Sequence, residues 1–299
     1  MLDPKRPAMP EDVQAELARS EPDYVVYVPT GDCDTGNEHF LVTDAPDGAL
    51  MAVWTQSSYE GAGDHRIMMA RSIDDGRTWS APVHIAGPRR PGEGLMASWG
   101  FPIISKSGRI YVIWNQYQGI DDVTPAHTGT MDCRYSDDLG ASWSEPETIL
   151  MPRSAYDDPD PTVPSNWIVW QLPMRDLQGR WFTGFSRWVA KAVRTPPVVA
   201  SWTAWETVVQ FIRFLNIDHD PEPRDIEIEW SPDEEALRVP HYAAPALSVA
   251  QEPSLVRLPD ERLFCTMRTM SGYIWYSLSA DDGVSWCAPR PLLRRDHGL

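Results

Sequence analysis

An all-β fold, a propeller of four-stranded antiparallel blades, is what this 299-residue sequence predicts, and three observations predict it. First, 28 prolines and 19 glycines are spread along the chain with no helical heptads between them, a punctuation that suits short strands joined by turns. Second, one octapeptide pattern, S-x-D-x-G-x-[ST]-W, occurs three times: Ser72 to Trp79, Ser136 to Trp143 and Ser279 to Trp286. Third, each copy follows a strand-like apolar run and is followed two residues on by Ala-Pro or Glu-Pro. A repeat with a fixed local grammar points to an array of equivalent units.

The grammar has a physical basis. Asp74, Asp138 and Asp281 can accept hydrogen bonds from the backbone N–H groups of their own turn. Gly76, Gly140 and Gly283 supply the positive φ such a turn needs, and the tryptophan anchors it to its sheet.

The blades follow in order. Blade one, roughly residues 24–90, opens with Thr43-Asp-Ala-Pro-Asp-Gly-Ala-Leu, an inner-strand pair around a turn, and closes on the first octapeptide. Blade two, roughly 98–152, opens around Ser105-Lys-Ser-Gly and closes on the second, 64 residues after the first. The gap of 143 residues to the third octapeptide leaves room for one unit without a copy, blade three at roughly 166–240, with Ser231-Pro-Asp-Glu-Glu as the expected remnant. It opens around Asp176-Leu-Gln-Gly and is expected to carry an insertion near 189–230. Blade four, roughly 248–299, opens around Pro259-Asp-Glu-Arg. Residues 1–23 are read as an N-terminal extension.

These octapeptides resemble the Asp-box, or BNR, repeat of the sialidase superfamily, and the resemblance covers nearly the whole chain. It implies boxes on the propeller face away from the active site. It also implies six or seven blades, so that this chain is expected to be truncated after the fourth, with that blade's far face uncovered and the protein poorly soluble or oligomeric. The function implied is an exo-acting, sialidase-like glycosidase that cleaves a terminal bond at an acidic sugar, with an oligosaccharide or glycoconjugate as substrate. A looser resemblance to propeller enzymes that remove rhamnose from glucuronic acid, by lysis or hydrolysis, offers a related chemistry.

Site residues are carried over one by one. Asp64 stands before the third strand, where the superfamily keeps its acid/base aspartate. The run from Gln251-Glu-Pro-Ser to Arg268 resembles the superfamily's E-P-x-x…R run, with Arg268 as a substrate-carboxylate clamp and Glu252 as the group that holds it or polarises a base. The early segment Gly36-Asn-Glu-His-Phe-Leu-Val has no arginine where the superfamily has its first. Arg187, Arg213, Asn166, Gln171 and Tyr273 are candidates for substrate binding, and Trp99, Asn115, Gln116, Trp167 and Trp188 for the cleft's walls. For elimination, His39, His127 and His241 are candidate bases. The missing first arginine and the missing late blades favour an alternative, a non-catalytic propeller that binds glycan or protein.

Composition sets outer limits. A net charge of −17 repels nucleic acid and anionic membranes, and no stretch is apolar enough to span a bilayer. With no signal-like apolar region at the start, the default expectation is the cytoplasm. Cys33, Cys133, Cys265 and Cys287 have no metal or redox spacing. No cofactor is expected, although Asn216-Ile-Asp-His-Asp-Pro-Glu alternates oxygen ligands as a calcium loop does, without the glycine or the bidentate spacing of one.

Overall fold

Each octapeptide closes on itself within eight residues. In the first, the Ser72 hydroxyl meets Asp74 at 2.8 Å and accepts the Gly76 N–H at 2.8 Å. Asp74 takes the Thr78 N–H and hydroxyl at 2.8 and 2.6 Å, and the Trp79 indole N–H donates to the Gly76 carbonyl at 2.9 Å. The second box repeats every one of these bonds. In the third, Trp286 instead stacks on Phe211 with ring centroids 4.3 Å apart. The three glycines have φ of 84°, 88° and 82°, and the residue before each, Asp75, Leu139 or Asp282, is left-handed as well.

The computed structural model describes residues 25–194, 205–242 and 244–293. They form four antiparallel sheets placed around one axis. Blade one holds β1 (Gly36–Asp44), β2 (Leu50–Ser57), β3 (Arg66–Ser72) and β4 (Val83–Ala86), hydrogen-bonded in that order. Blade two holds β5 (Ala97–Ile104), β6 (Ile110–Tyr117), β7 (Gly129–Ser136) and β8 (Glu147–Ile149). In blade three, β9 (Trp167–Ile168) and β10 (Met174–Arg175) both pair with β11 (Trp181–Trp188), followed by β12 (Thr207–Phe214) and β13 (Ile228–Trp230). Blade four holds β14 (Gln251–Arg257), β15 (Leu263–Arg268), β16 (Trp275–Ser279) and β17 (Arg290–Pro291). No helix among the described residues is long and apolar enough to cross a membrane.

Burial follows from where each sheet lies. The middle strands of blades two and three are covered on both faces, so β6 is buried from Ile110 to Asn115 and β12 throughout. One core joins blades one and two through Val53, Ile67, Val112 and Trp114. A second joins blades two and three through Phe101, Ile113, Phe185 and Ile212, and a third joins three and four through Phe182, Phe211, Leu263 and Cys265. Blade one's outer face is covered by Val26, Tyr27 and Trp79 packed on Trp54. On β15, by contrast, Leu263, Cys265 and Met267 are buried while Phe264 and Thr266 are half-buried and Arg268 is exposed. This period of two marks a sheet with one face covered by the described residues.

Two readings of the sequence change here. The span 189–230 contains β12 and β13, which complete blade three; residues 195–204 of that span, and 1–24, lie outside the described residues. The counterpart of the box in blade three is the β12–β13 connection and not Ser231. There Asn216 and Asp218 stand in the places of Ser and Asp, and Asp220 takes the left-handed position at φ 55°. Asp218 is committed to Lys106 and Arg175, each at 2.9 Å, and ties blade three to blade two. No group of three or more His, Cys, Asp or Glu able to hold a metal occurs among the described residues.

The boxes make a direct stability prediction. A Cβ on Gly283 would lie 2.6 Å from the Phe182 ring, which is fully buried, at a φ of 82°. Backbone strain and overpacking add, so Gly283→Ala is expected to cost about 3 kcal/mol. Gly48→Ala has the same strain, φ 83°, with nothing within 4 Å, and is expected to cost about 1 kcal/mol. Urea titration of the two variants checks the difference; equal losses would mean the contact with Phe182 is slack.

Candidate functional site

Three innermost strands share a distortion at the same place. The pairing of β1 with β2 shifts register between Glu38 and Leu41, that of β5 with β6 between Ser98 and Phe101, and that of β14 with β15 between Gln251 and Ser254. At the shift lies a non-glycine residue with positive φ: His39 at 52°, Trp99 at 59° and Glu252 at 44°. In blade three the strand breaks outright between β9 and β10, and Trp170 and Gln171 occupy the break. Bulges re-aim side chains, and a bulky residue in the left-handed region persists only where its surroundings hold it there. Here a hydroxyl of the preceding blade does so: Thr55 accepts the Trp99 N–H at 2.9 Å and Ser186 accepts the Glu252 N–H at 2.6 Å.

The bulges lie at the strand ends opposite the boxes, because the β2–β3 and β6–β7 loops share their end and the β3–β4 and β7–β8 turns occupy the other. They open into a cleft of about 590 Å³ lined by residues 60–63 and 124–127, His65, Met96, Trp99, Ile168, Trp170, Glu252 and Arg268. Trp99 and Trp170 approach with ring centroids 5.1 Å apart. His39 lies against both, at 5.8 and 5.4 Å. His65 sets its edge on Trp99, and His127 stacks on Trp188 at 4.0 Å. At the rim Arg268 donates to Glu252 at 2.6 Å, with the arginine side chain 45% exposed.

Burial dominates the electrostatics. It pushes His39 down to about 3, His65 to about 4 and His127 to about 3, with the charge of His65 adding to the last. All three are neutral near pH 7. Burial, helped by the charge of Glu60, pushes Glu38 up to about 7. Glu252 is raised by its burial against the opposing pull of Arg268. Behind the tryptophans, Ser98 Oγ meets His65 Nδ1 at 2.9 Å, and His65 Nε2 faces Glu38 Oε1 at 3.6 Å. That separation is typical of a charge pair, yet burial drives both groups toward their neutral forms, which is the state we assign them.

The structure therefore gathers Glu252, Arg268, His39, His127 and Trp99 around one cleft. Other candidates are placed elsewhere. Asp64 is buried and accepts the Ser58 N–H at 3.1 Å and hydroxyl at 2.6 Å, with Arg66 3.8 Å away, so it shapes the β2–β3 loop beside the cleft. Arg213 lies at the box end, donating to the Asp282 carbonyl and 3.4 Å from Asp176. Arg187 is enclosed within blade three against Asp157 and Gln210. Asn166 bonds Asp122 and Thr128 and thereby holds the loop that carries His127. Gln171 accepts the Leu255 N–H between blades three and four. Tyr273 is 56% exposed in the β15–β16 loop, and His241 stacks on Tyr242 outside the cleft. Sequence reasoning passed over Glu38, Glu60, His65 and Trp170 as site residues. Aligning the blades on their inner strands would have placed Glu38-His39, Ser98-Trp99 and Gln251-Glu252 at one equivalent position.

The chain matches the family model described as the BNR repeat-like domain over residues 48–296. No curated protein matches its sequence. Among solved structures it is similar to a Dyadobacter fermentans protein of unknown function, at 12% identity over 90% of this chain and 71% of that one, with a TM-score of 0.61. It is similar to the Trypanosoma rangeli sialidase bound to sialic acid, at 11% identity over 84% of this chain and 37% of that one, with a TM-score of 0.57. The intramolecular trans-sialidase of Ruminococcus gnavus, crystallised with oseltamivir carboxylate, gives 12%, 88%, 72% and 0.57 in the same order. The chain thus spans little more than a third of the trypanosomal enzyme, and likenesses at these identities establish the fold alone.

Proposed function

The chain belongs to the BNR repeat-like family of sialidase-superfamily propellers, and from that premise we propose that its axial cleft takes the terminal acidic sugar of an oligosaccharide or glycoconjugate and cleaves its glycosidic bond. The observation that carries this reading is the meeting of Trp99 and Trp170 with the Glu252–Arg268 pair in one cleft of about 590 Å³. Flat aromatic faces suit the apolar faces of a sugar ring, and a guanidinium suits its carboxylate.

Glycosidic cleavage needs a proton for the leaving oxygen, from an acid still protonated near neutral pH. Glu38, raised to about 7 and lying beside His65 and Glu60 of the cleft lining, is the group we assign to it. Arg268 orients the substrate carboxylate and Glu252 orients Arg268. Sialosides and glucuronides are the substrates to try, using fluorogenic 4-methylumbelliferyl glycosides.

Expected results are concrete. Arg268→Ala should abolish turnover while moving the melting temperature little, because an exposed ion pair contributes under about 1 kcal/mol. Glu38→Gln should lower kcat about 10²–10⁴-fold with KM nearly unchanged. An Arg268→Ala protein that melts early, and whose folded fraction keeps full specific activity, would show Arg268 to be scaffold and the site assignment wrong.

Two observations favour a second reading, a glycan-binding propeller without hydrolysis. No tyrosine is among the residues lining the cleft, and the Asp64 carboxylate is taken up by Ser58. Binding of sialic acid or glucuronic acid in a thermal-shift assay, with no turnover of any glycoside tried, would select it.

A further inference from the structure

A second cavity, of about 420 Å³, opens between the outer strand of blade one and blade two. His84, Arg89, Trp114, Gln116, Asp132 and Arg134 are among its walls. It lies behind the axial cleft: Gln116 accepts the Trp114 indole N–H at 2.9 Å and donates to the carbonyl of Met96, which lines the cleft.

One of its arginines is exceptional in this molecule. The half-buried and buried arginines elsewhere, from Arg66 and Arg71 to Arg187, Arg213 and Arg257, each have a carboxylate within 4 Å. Among the described residues Arg134 alone is not exposed and has none, although Asp132 lies two positions away on the same strand. Its Nη1 donates to the Ile85 carbonyl at 3.0 Å, and its Nε is buried with no hydrogen-bond partner. Arg89, on the same cavity, makes no ion pair with any described residue. His84 is held below its usual range first by burial and then by the charges of Arg89 and Arg134. A guanidinium withdrawn from water without a counter-ion is costly, and in a chain of net charge −17 carboxylates were not scarce. No described residue supplies that counter-ion, which leaves the place open to the carboxylate of a ligand.

We propose that the cavity is a second sugar-acid site, separate from the axial cleft, in which a ligand carboxylate bridges the guanidinium groups of Arg134 and Arg89. Asp132 completes it. Its Oδ1 accepts the hydroxyls of Thr130 and Thr148 at 2.8 Å each, and its other oxygen takes a sugar hydroxyl. A bare inorganic anion would use the arginines and leave Asp132 idle, so the polar group beside Arg134 on the same strand face is what selects a sugar.

The experiment is an NMR titration of the indole N–H signals with D-glucuronate, and with D-glucose as the neutral control. Glucuronate should shift the Trp114 indole in the native protein and equally in Arg268→Ala, where the axial cleft is disabled; glucose should not. Arg89→Ala, at an exposed position, and Arg134→Lys, which keeps the charge but removes the planar guanidinium, should each raise Kd about tenfold. Failure of the axial reading would appear separately, as Trp99 and Trp170 signals indifferent to Arg268→Ala. A Trp114 signal that ignores glucuronate, responds as well to glucose, or keeps its Kd in Arg89→Ala overturns the proposal.

Discussion

Asp157→Ala is expected to destabilise the protein by about 3–5 kcal/mol, because it leaves the Arg187 guanidinium charged and enclosed. The pair is among the most deeply buried in the molecule, with Arg187 0% and Asp157 1% exposed at the side chain and 2.6 Å between Nη1 and Oδ1. Burial pushes the guanidinium below its usual range even with Asp157 pulling the other way. Gln210 accepts from Nε at 2.6 Å, the Trp230 ring lies 4.6 Å from the guanidinium carbon, and Asp233 reaches the group through Gln210. The remaining partners are too few to neutralise a charge that water cannot reach. An apolar replacement of both ends, Arg187→Met with Asp157→Leu, removes the charge as well as its partner and should return to within about 1–2 kcal/mol of the native protein. Urea titration of the two single variants and the double variant measures the coupling. If Asp157→Ala unfolds with nearly native stability, water reaches Arg187, and its exclusion from the binding residues should be reconsidered.

Arg187 also shows which parts of the molecule could be read before its shape was known. The boxes were legible because their bonds are local: Ser72, Asp74, Gly76 and Thr78 satisfy one another within eight residues. The blade order followed from strands whose turns are equally local. Glu252 and Arg268, matched by a run of sequence, meet because both lie at the cleft ends of paired strands. For Arg187 and Arg213, residue type was the only guide. Arg213 lies one residue short of the end of β12, hence at the box end of its blade, and that position depends on a register the sequence does not state. The blade-three box escaped notice because Asn216 and Asp220 replaced the serine and glycine that carried the pattern. Glu38 escaped for a different reason: its raised carboxyl comes from burial and from Glu60 across the β2–β3 loop, neither of which is a property of its neighbours in sequence.

The same burial makes the melting temperature depend steeply on pH. His39, His65 and His127 are held at about 3, 4 and 3, against about 6.5 in an unfolded chain. Each is therefore neutral in the fold but protonated in the unfolded state between roughly pH 4 and 6.5, so the unfolded state binds more protons there. The stability these groups allow is fully present above pH 6.5 and is lost as pH falls. Glu38, at about 7 against 4.5 unfolded, has the opposite sign: its protonated form is retained by the fold, so its contribution is lost as pH rises from 4.5 to 7. Glu252, also raised, acts in the same direction as Glu38. Near pH 5 the histidines contribute close to three protons and Glu38 opposes with less than one, so the net slope is about 2–3 kcal/mol per pH unit, lessened by Glu252. Stability should thus fall by several kcal/mol from pH 7 to pH 4, most steeply at the acid end, where Glu38 no longer offsets the histidines. Differential scanning calorimetry across that range reads the slope directly. His127→Gln supplies the control: it removes one titrating group stacked on Trp188, so whatever its effect at pH 7, its melting temperature should fall less between pH 7 and 4 than that of the native protein. A variant that falls in parallel with the native protein would mean that His127 is protonated inside the fold, and that the cleft it lines is wetter and more positive than its burial implies.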